Sequence, residues 1–143
     1  MDHKALIEAA LDARSRSYSP YSGYRVGAAI LCSDGTIVTG ANIENASYGA
    51  TVCAERCAAF SAVASGKKRF TAIAIAGGAG SESDRTDDYA FPCGICRQVL
   101  REFTDPDSFT VIVAKSTEDY KEYTLAQLLP ESFGPDNLNN KGE

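Results

Sequence analysis

The chain has 143 residues, 44% of them hydrophobic, with 14 Lys and Arg against 19 Asp and Glu for a formal net charge of -5. That length suits one globular domain spanning residues 1–143, large enough for a core and a pocket. The acidic balance offers no basic stripe to neutralise phosphates, which argues against a nucleic-acid partner, and no apolar run reaches the roughly 18 residues of a membrane span.

The opening MDHKALIEAALDARSRS lacks the layout of a signal peptide, so a cytoplasmic protein is expected. Between Lys4 and Arg14, Leu6, Ile7, Ala10 and Leu11 recur at helical spacing, and SYSPYSGY, punctuated by Pro20 and Gly23, reads as the following loop. RVGAAIL and TIVTGANI, joined by Ser33, Asp34 and Gly35, predict two antiparallel strands. TVCAERCAAFSAVAS, free of Gly and Pro until Gly66, predicts a second helix beginning near Val52. FTAIAIAG reads as a buried strand, and GAGSESDRTDDYA as a polar loop that runs into Pro92 and is expected to form part of a pocket rim. Pro92 introduces a third helix, CGICRQVLREF, which must stop before Pro106.

FTVIVAK and YKEYTL are the last two strands. Only STED separates them, too little for a parallel crossover, so they should pair antiparallel. LAQLLP closes the core as a short helix, and the polar tail FGPDNLNNKGE is expected to be loosely held. The order predicts an α/β fold, a mixed five-stranded sheet sandwiched by helices.

The five cysteines are an odd number, and two lie in CGIC, which points to metal or redox chemistry rather than a disulfide framework. Inside a helix, Cys53 and Glu55 would stand roughly 200° apart and could not serve one ion. At a helix start they can, because the chain is still arriving. Cys93 and Cys96, three apart at the next helix start, share a face. Three protein ligands leave the fourth tetrahedral position to water, the arrangement of catalytic zinc, one ion per chain. Three thiolates exceed the Zn²⁺ charge by one, and that excess calls for compensation. Two helix N-termini supply part of it, and Arg56, with Gln98 to orient it, is the candidate for the rest.

CAE at Cys53 to Glu55, followed by PCGIC at Pro92 to Cys96, resembles the zinc-dependent cytidine deaminase family. YSPYSGYRVGAAI, GANIENASYG, CRQVLREF and LLPESFGP extend the resemblance over nearly the whole chain, toward the small nucleoside-acting branch. The resemblance implies hydrolytic deamination of cytidine and deoxycytidine to uracil nucleosides and ammonia in pyrimidine salvage, with Glu55 shuttling protons from water to N3 and then to the departing amine. It assigns Asn42 and Glu44 to the ribose hydroxyls and sets the backbone of Ala54 against the base. It places Tyr24 beside the pyrimidine, where the family usually presents Phe. It also implies a homotetramer in which Ala46, Tyr48 and Phe133 act across subunit interfaces.

Other readings compete. Cys32 and Cys57 read as small buried hydrophobes, and His3 as a solvated terminal group. CGIC also resembles the thiol pair of thioredoxin-like oxidoreductases, but such a pair should follow an early strand and would leave Cys53 with Glu55 unexplained. A structural zinc site would need a fourth ligand, which no suitably spaced residue offers.

Overall fold

The computed structural model describes residues 2–138. Helix α1 spans His3–Ala13 and is capped by Asp2, whose carboxylate accepts hydrogen bonds from the Lys4 and Ala5 amides. Its apolar stripe, Leu6, Ile7, Ala10 and Leu11, is buried as the spacing requires. Strands β1 (Arg25–Cys32) and β2 (Ile37–Ala41) form the expected hairpin. Gly35 takes φ +91° in its turn and donates its amide to the Cys32 carbonyl at 2.9 Å.

Helix α2 (Ala54–Ala64), strand β3 (Phe70–Gly78), helix α3 (Gly94–Glu102), strands β4 (Thr110–Ala114) and β5 (Tyr120–Thr124) and the single turn α4 (Leu125–Leu128) complete the order. Several boundaries differ from the sequence reading by one or two residues. Helix α2 starts at Ala54 rather than near Val52, because Cys53 keeps extended backbone as its N-cap. Leu125 opens α4, as LAQLLP predicts, and is not also the end of β5, because Thr124 and Gln127 exchange hydrogen bonds in a capping box that turns the chain.

The sheet order is β2-β1-β3-β4-β5. β3 and β4 run parallel, with α3 in their crossover, and the other pairs are antiparallel, β4 with β5 among them. Helix α1 covers one face, packing Leu6, Ile7, Ala10 and Leu11 on Ala29, Ala72, Ala74, Ala76 and Ile112. Helices α2, α3 and α4 cover the other through Ala58, Ala62, Leu100 and Leu125, against Ile30, Ile73, Ile75, Val111 and Val113. The sheet is sandwiched, as the element order predicts.

Two glycines set how closely the helices approach. A Cβ at Gly40 would collide with the α2 backbone at Ala54 and Ala58, so α2 lies directly on β2 and its first turn is pinned to the sheet. A Cβ at Gly27 would strike the α1 backbone at Ala10 and Arg14. Each helix therefore sits at a depth that any other residue at these positions would forbid.

Candidate metal centre and active site

Cys53 and Cys93 are the N-caps of α2 and α3, so two helix starts converge on one point. The Sγ atoms of Cys53, Cys93 and Cys96 all lie within 4.8 Å of one another. Cys53 to Cys93 measures 3.8 Å and Cys93 to Cys96 3.5 Å. The Cys93 sulfur also accepts from the Cys96 amide at 3.5 Å, the first-turn contact expected of an N-cap acceptor. Arg56 donates through Nη2 to the Cys53 sulfur at 3.5 Å. Contacts with Cys96, then Arg56, then Cys93 hold the Cys53 thiol below its ordinary range, while the Cys53 contact and burial push the Cys96 thiol up. The Arg56 guanidinium is held above its ordinary value by the same contact with Cys53.

Glu55 follows Cys53 by two residues and is 4% exposed. Burial pushes its carboxyl up to about 7, with the Cys53 charge adding to the rise and Arg56 opposing it. It faces a cleft of about 380 Å³ whose walls include Tyr24, Val26, Asn42, Val52, Ala54 and Phe91, with Cys53 and Cys93 at the same opening. The chemistry of the donor set fits Zn²⁺. Three cysteine sulfurs at mutual distances suited to one ion, backed by a cation and two helix starts, would supply three of the four ligands that tetrahedral zinc takes.

Other sequence-predicted residues fall into two groups. Tyr24, Asn42 and Ala54 line the cleft. Asn42 is largely occupied with its own loop: its Oδ1 accepts from the Val26 amide at 2.9 Å and the Ser17 hydroxyl at 2.5 Å, and its Nδ2 donates to the Tyr24 carbonyl at 2.9 Å. One Nδ2 proton is left for a ligand. Glu44, Ala46, Tyr48 and Phe133 lie outside the cleft lining. The Glu44 carboxylate accepts from the Tyr21 and Ser22 amides at 2.9 and 3.1 Å and from the Ser22 hydroxyl, the contact that chiefly holds its pKa below the usual carboxylate range. Tyr48 is 75% exposed and Phe133 59%.

Gln98 does not bond to Arg56 among the described residues. Its amide donates to the Phe133 carbonyl at 2.9 Å, docking the segment after α4 onto α3, a partner that helical spacing alone could not reveal. Tyr89 and Ala90, at the end of the loop expected at the pocket rim, do line the cleft, whereas Val26, Thr51, Val52, Ile75 and Phe91 were not singled out by sequence reasoning. For Phe91 a signal existed, since it runs directly into Pro92 and Cys93.

A family model describing the cytidine and deoxycytidylate deaminase zinc-binding region matches residues 1–112. The chain belongs to this family. Cytidine deaminase of Halalkalibacterium halodurans is 42% identical over 140 residues, covering 98% of this chain and 100% of that one. The crystal structure of cytidine deaminase from Burkholderia pseudomallei aligns with a TM-score of 0.82 at 44% identity, covering 93% of this chain and 100% of the other. That from Mycobacterium tuberculosis aligns at 0.77 with 38% identity, over 94% and 98% of the two chains. The zinc-binding character of the family agrees with the three-thiol cluster, one site per chain.

Because Arg56 is the cation that the described contacts bring to the cluster, Arg56→Ala is expected to weaken zinc retention or turnover about 10- to 100-fold. Competition with a chromogenic chelator, alongside the rate, measures it. Unchanged retention and rate would show that the helix starts alone offset the thiolate charge.

Proposed function

We propose that the chain is a zinc-dependent cytidine deaminase, acting on cytidine and deoxycytidine in the cleft beside Cys53, Cys93 and Cys96. The observation that carries this reading is the meeting of a three-thiol cluster and a buried acid, Glu55, at one opening. In the reaction a C–O bond forms at C4 of the pyrimidine, the bond from C4 to the exocyclic amine breaks, and ammonia leaves with the second proton of water.

Cys53, Cys93 and Cys96 would hold the zinc ion, which supplies Lewis acidity and water of lowered pKa at its open position. Glu55, fixed on the first turn of α2, takes a proton from water, delivers it to N3, and then serves the departing amine. The aromatic face of Tyr24 and the backbone of Ala54 hold the base, and both belong to the cleft wall. Asn42 offers its remaining amide proton to the ribose. Glu44, tied to Tyr21 and Ser22, has acceptor capacity left for a 3′-hydroxyl, since an ionised carboxylate can take about four hydrogen bonds.

The exposed aromatic rings of Tyr48 and Phe133 support assembly into a homotetramer in which neighbours complete each pocket through Ala46, Tyr48 and Phe133. Among the described residues no helix is long and apolar enough to cross a membrane. A cytoplasmic location and a small nucleoside substrate, with no nucleic-acid partner, complete the proposal.

The test is metal analysis of unchelated protein together with the rate of ammonia release from cytidine, deoxycytidine, adenosine and guanine, and the mass in solution by light scattering. The expected outcome is about one zinc per chain and turnover of the two cytosine nucleosides alone. Protein without zinc, carrying a reducible Cys93 to Cys96 disulfide, would instead favour a thiol oxidoreductase.

A further inference from the structure

Arg14 is 3% exposed and has no carboxylate within ion-pair distance among the described residues. Its charge is met by carbonyl dipoles. Nε donates to the Arg25 carbonyl at 3.2 Å, Nη1 to those of Glu82 and Arg85 at 2.8 and 3.4 Å, and Nη2 to those of Gly78 and Gly80 at 3.0 and 2.7 Å. All the N–H donors of the guanidinium are thereby used, and most of them go to the segment that follows β3. The segment is wrapped around one buried cation.

That segment leads straight into the cleft. After its last carbonyl contact at Arg85, the Thr86 amide donates to Lys115 at 2.7 Å and the Thr86 hydroxyl to the Asp88 carbonyl at 3.0 Å. Asp88 pairs back onto Gly77, and Ala90 and the Tyr24 ring close over the same glycine. Tyr89, Ala90 and Phe91 then form one wall of the cleft, and Cys93 follows. Arg14 itself does not line the cleft.

We propose that Arg14 is a positioning residue for substrate binding: its guanidinium fixes the arc of residues 78–86, and through that arc the wall made by Tyr89, Ala90 and Phe91. The assignment rests on this cleft being the nucleoside site. Lysine cannot replace it, because an ammonium has three donors and no planar fork to span carbonyls on several sides.

The test uses zinc-loaded Arg14→Met, Arg14→Lys and Thr86→Val beside the wild type. Thr86→Val loosens the same segment without touching the guanidinium. In Arg14→Met, KM for cytidine is expected to rise about tenfold while kcat stays within about threefold, the signature of lost ground-state binding. Arg14→Lys and Thr86→Val shift KM the same way, less steeply. Zinc content is unchanged, and faster amide hydrogen exchange is confined to residues 79–91. Folded variants with wild-type KM, or with loss only in kcat, overturn the assignment, as does unchanged exchange in the segment. If Arg14→Met does not fold, the other two variants decide. Wild-type protein that neither binds nor turns over cytidine overturns the nucleoside reading and this assignment with it; an active wild type with variants of normal KM overturns this assignment alone.

Discussion

Glu55→Gln is expected to keep its zinc and its fold while losing about 10²- to 10⁴-fold in kcat for cytidine. The amide matches the carboxylate in shape and can still hydrogen-bond at the first turn of α2. It cannot pick up a proton from water and pass it to N3 and the amine. Stability should not suffer, because the change removes a carboxyl whose charged form burial already disfavours. Metal content, melting temperature and the rate of absorbance change on conversion of cytidine to uridine separate these effects. A rate within tenfold of the wild type, in protein that retains zinc, would take Glu55 out of the proton transfers.

The two cysteine motifs were readable because their chemistry and their local structure coincide. A ligand that is also an N-cap must stand just before a helix, and both CAE and PCGIC carry that placement in their spacing. The layered fold was readable from the switch between helical and alternating apolar periods and from the short link before β5. Arg14 was not readable. At the end of a helix an arginine is favoured by the helix dipole and looks solvated, whereas its carbonyl partners at and beyond the end of β3 lie 64 to 71 residues further along the chain. Gln98 failed for the same reason, since a side chain on a helix face can turn to a neighbour on its own layer or to a tail that arrives much later. Contacts from side chain to distant backbone leave no periodic trace in sequence.

Cytidine monophosphate is expected to react with kcat/KM about 100-fold or more below that of cytidine and deoxycytidine, the cost of setting a dianionic group among like charges without a cation to meet it. The family description spans cytidine and deoxycytidylate deaminases, so the distinction bears on which branch of chemistry this cleft serves. Among the described residues the cleft lining contains no lysine or arginine, and its carboxyl is that of Glu55. Four nearby cations are already engaged. Arg56 donates to the Cys53 sulfur, Arg14 is enclosed by carbonyls, and Lys115 and Lys121 each stand 4.5 Å from the centre of the Tyr89 ring, whose hydroxyl is bonded to Asp119. Glu44 near the proposed ribose position and Asp88 beside Tyr24 add negative charge to the approach. Loss of the 2′-hydroxyl should matter little, because the acceptor proposed for the sugar, Glu44, addresses the 3′ position. Comparing kcat/KM for the three compounds in one buffer decides the matter. Equal efficiency for the monophosphate would mean that a phosphate site exists and that the nucleoside assignment is wrong.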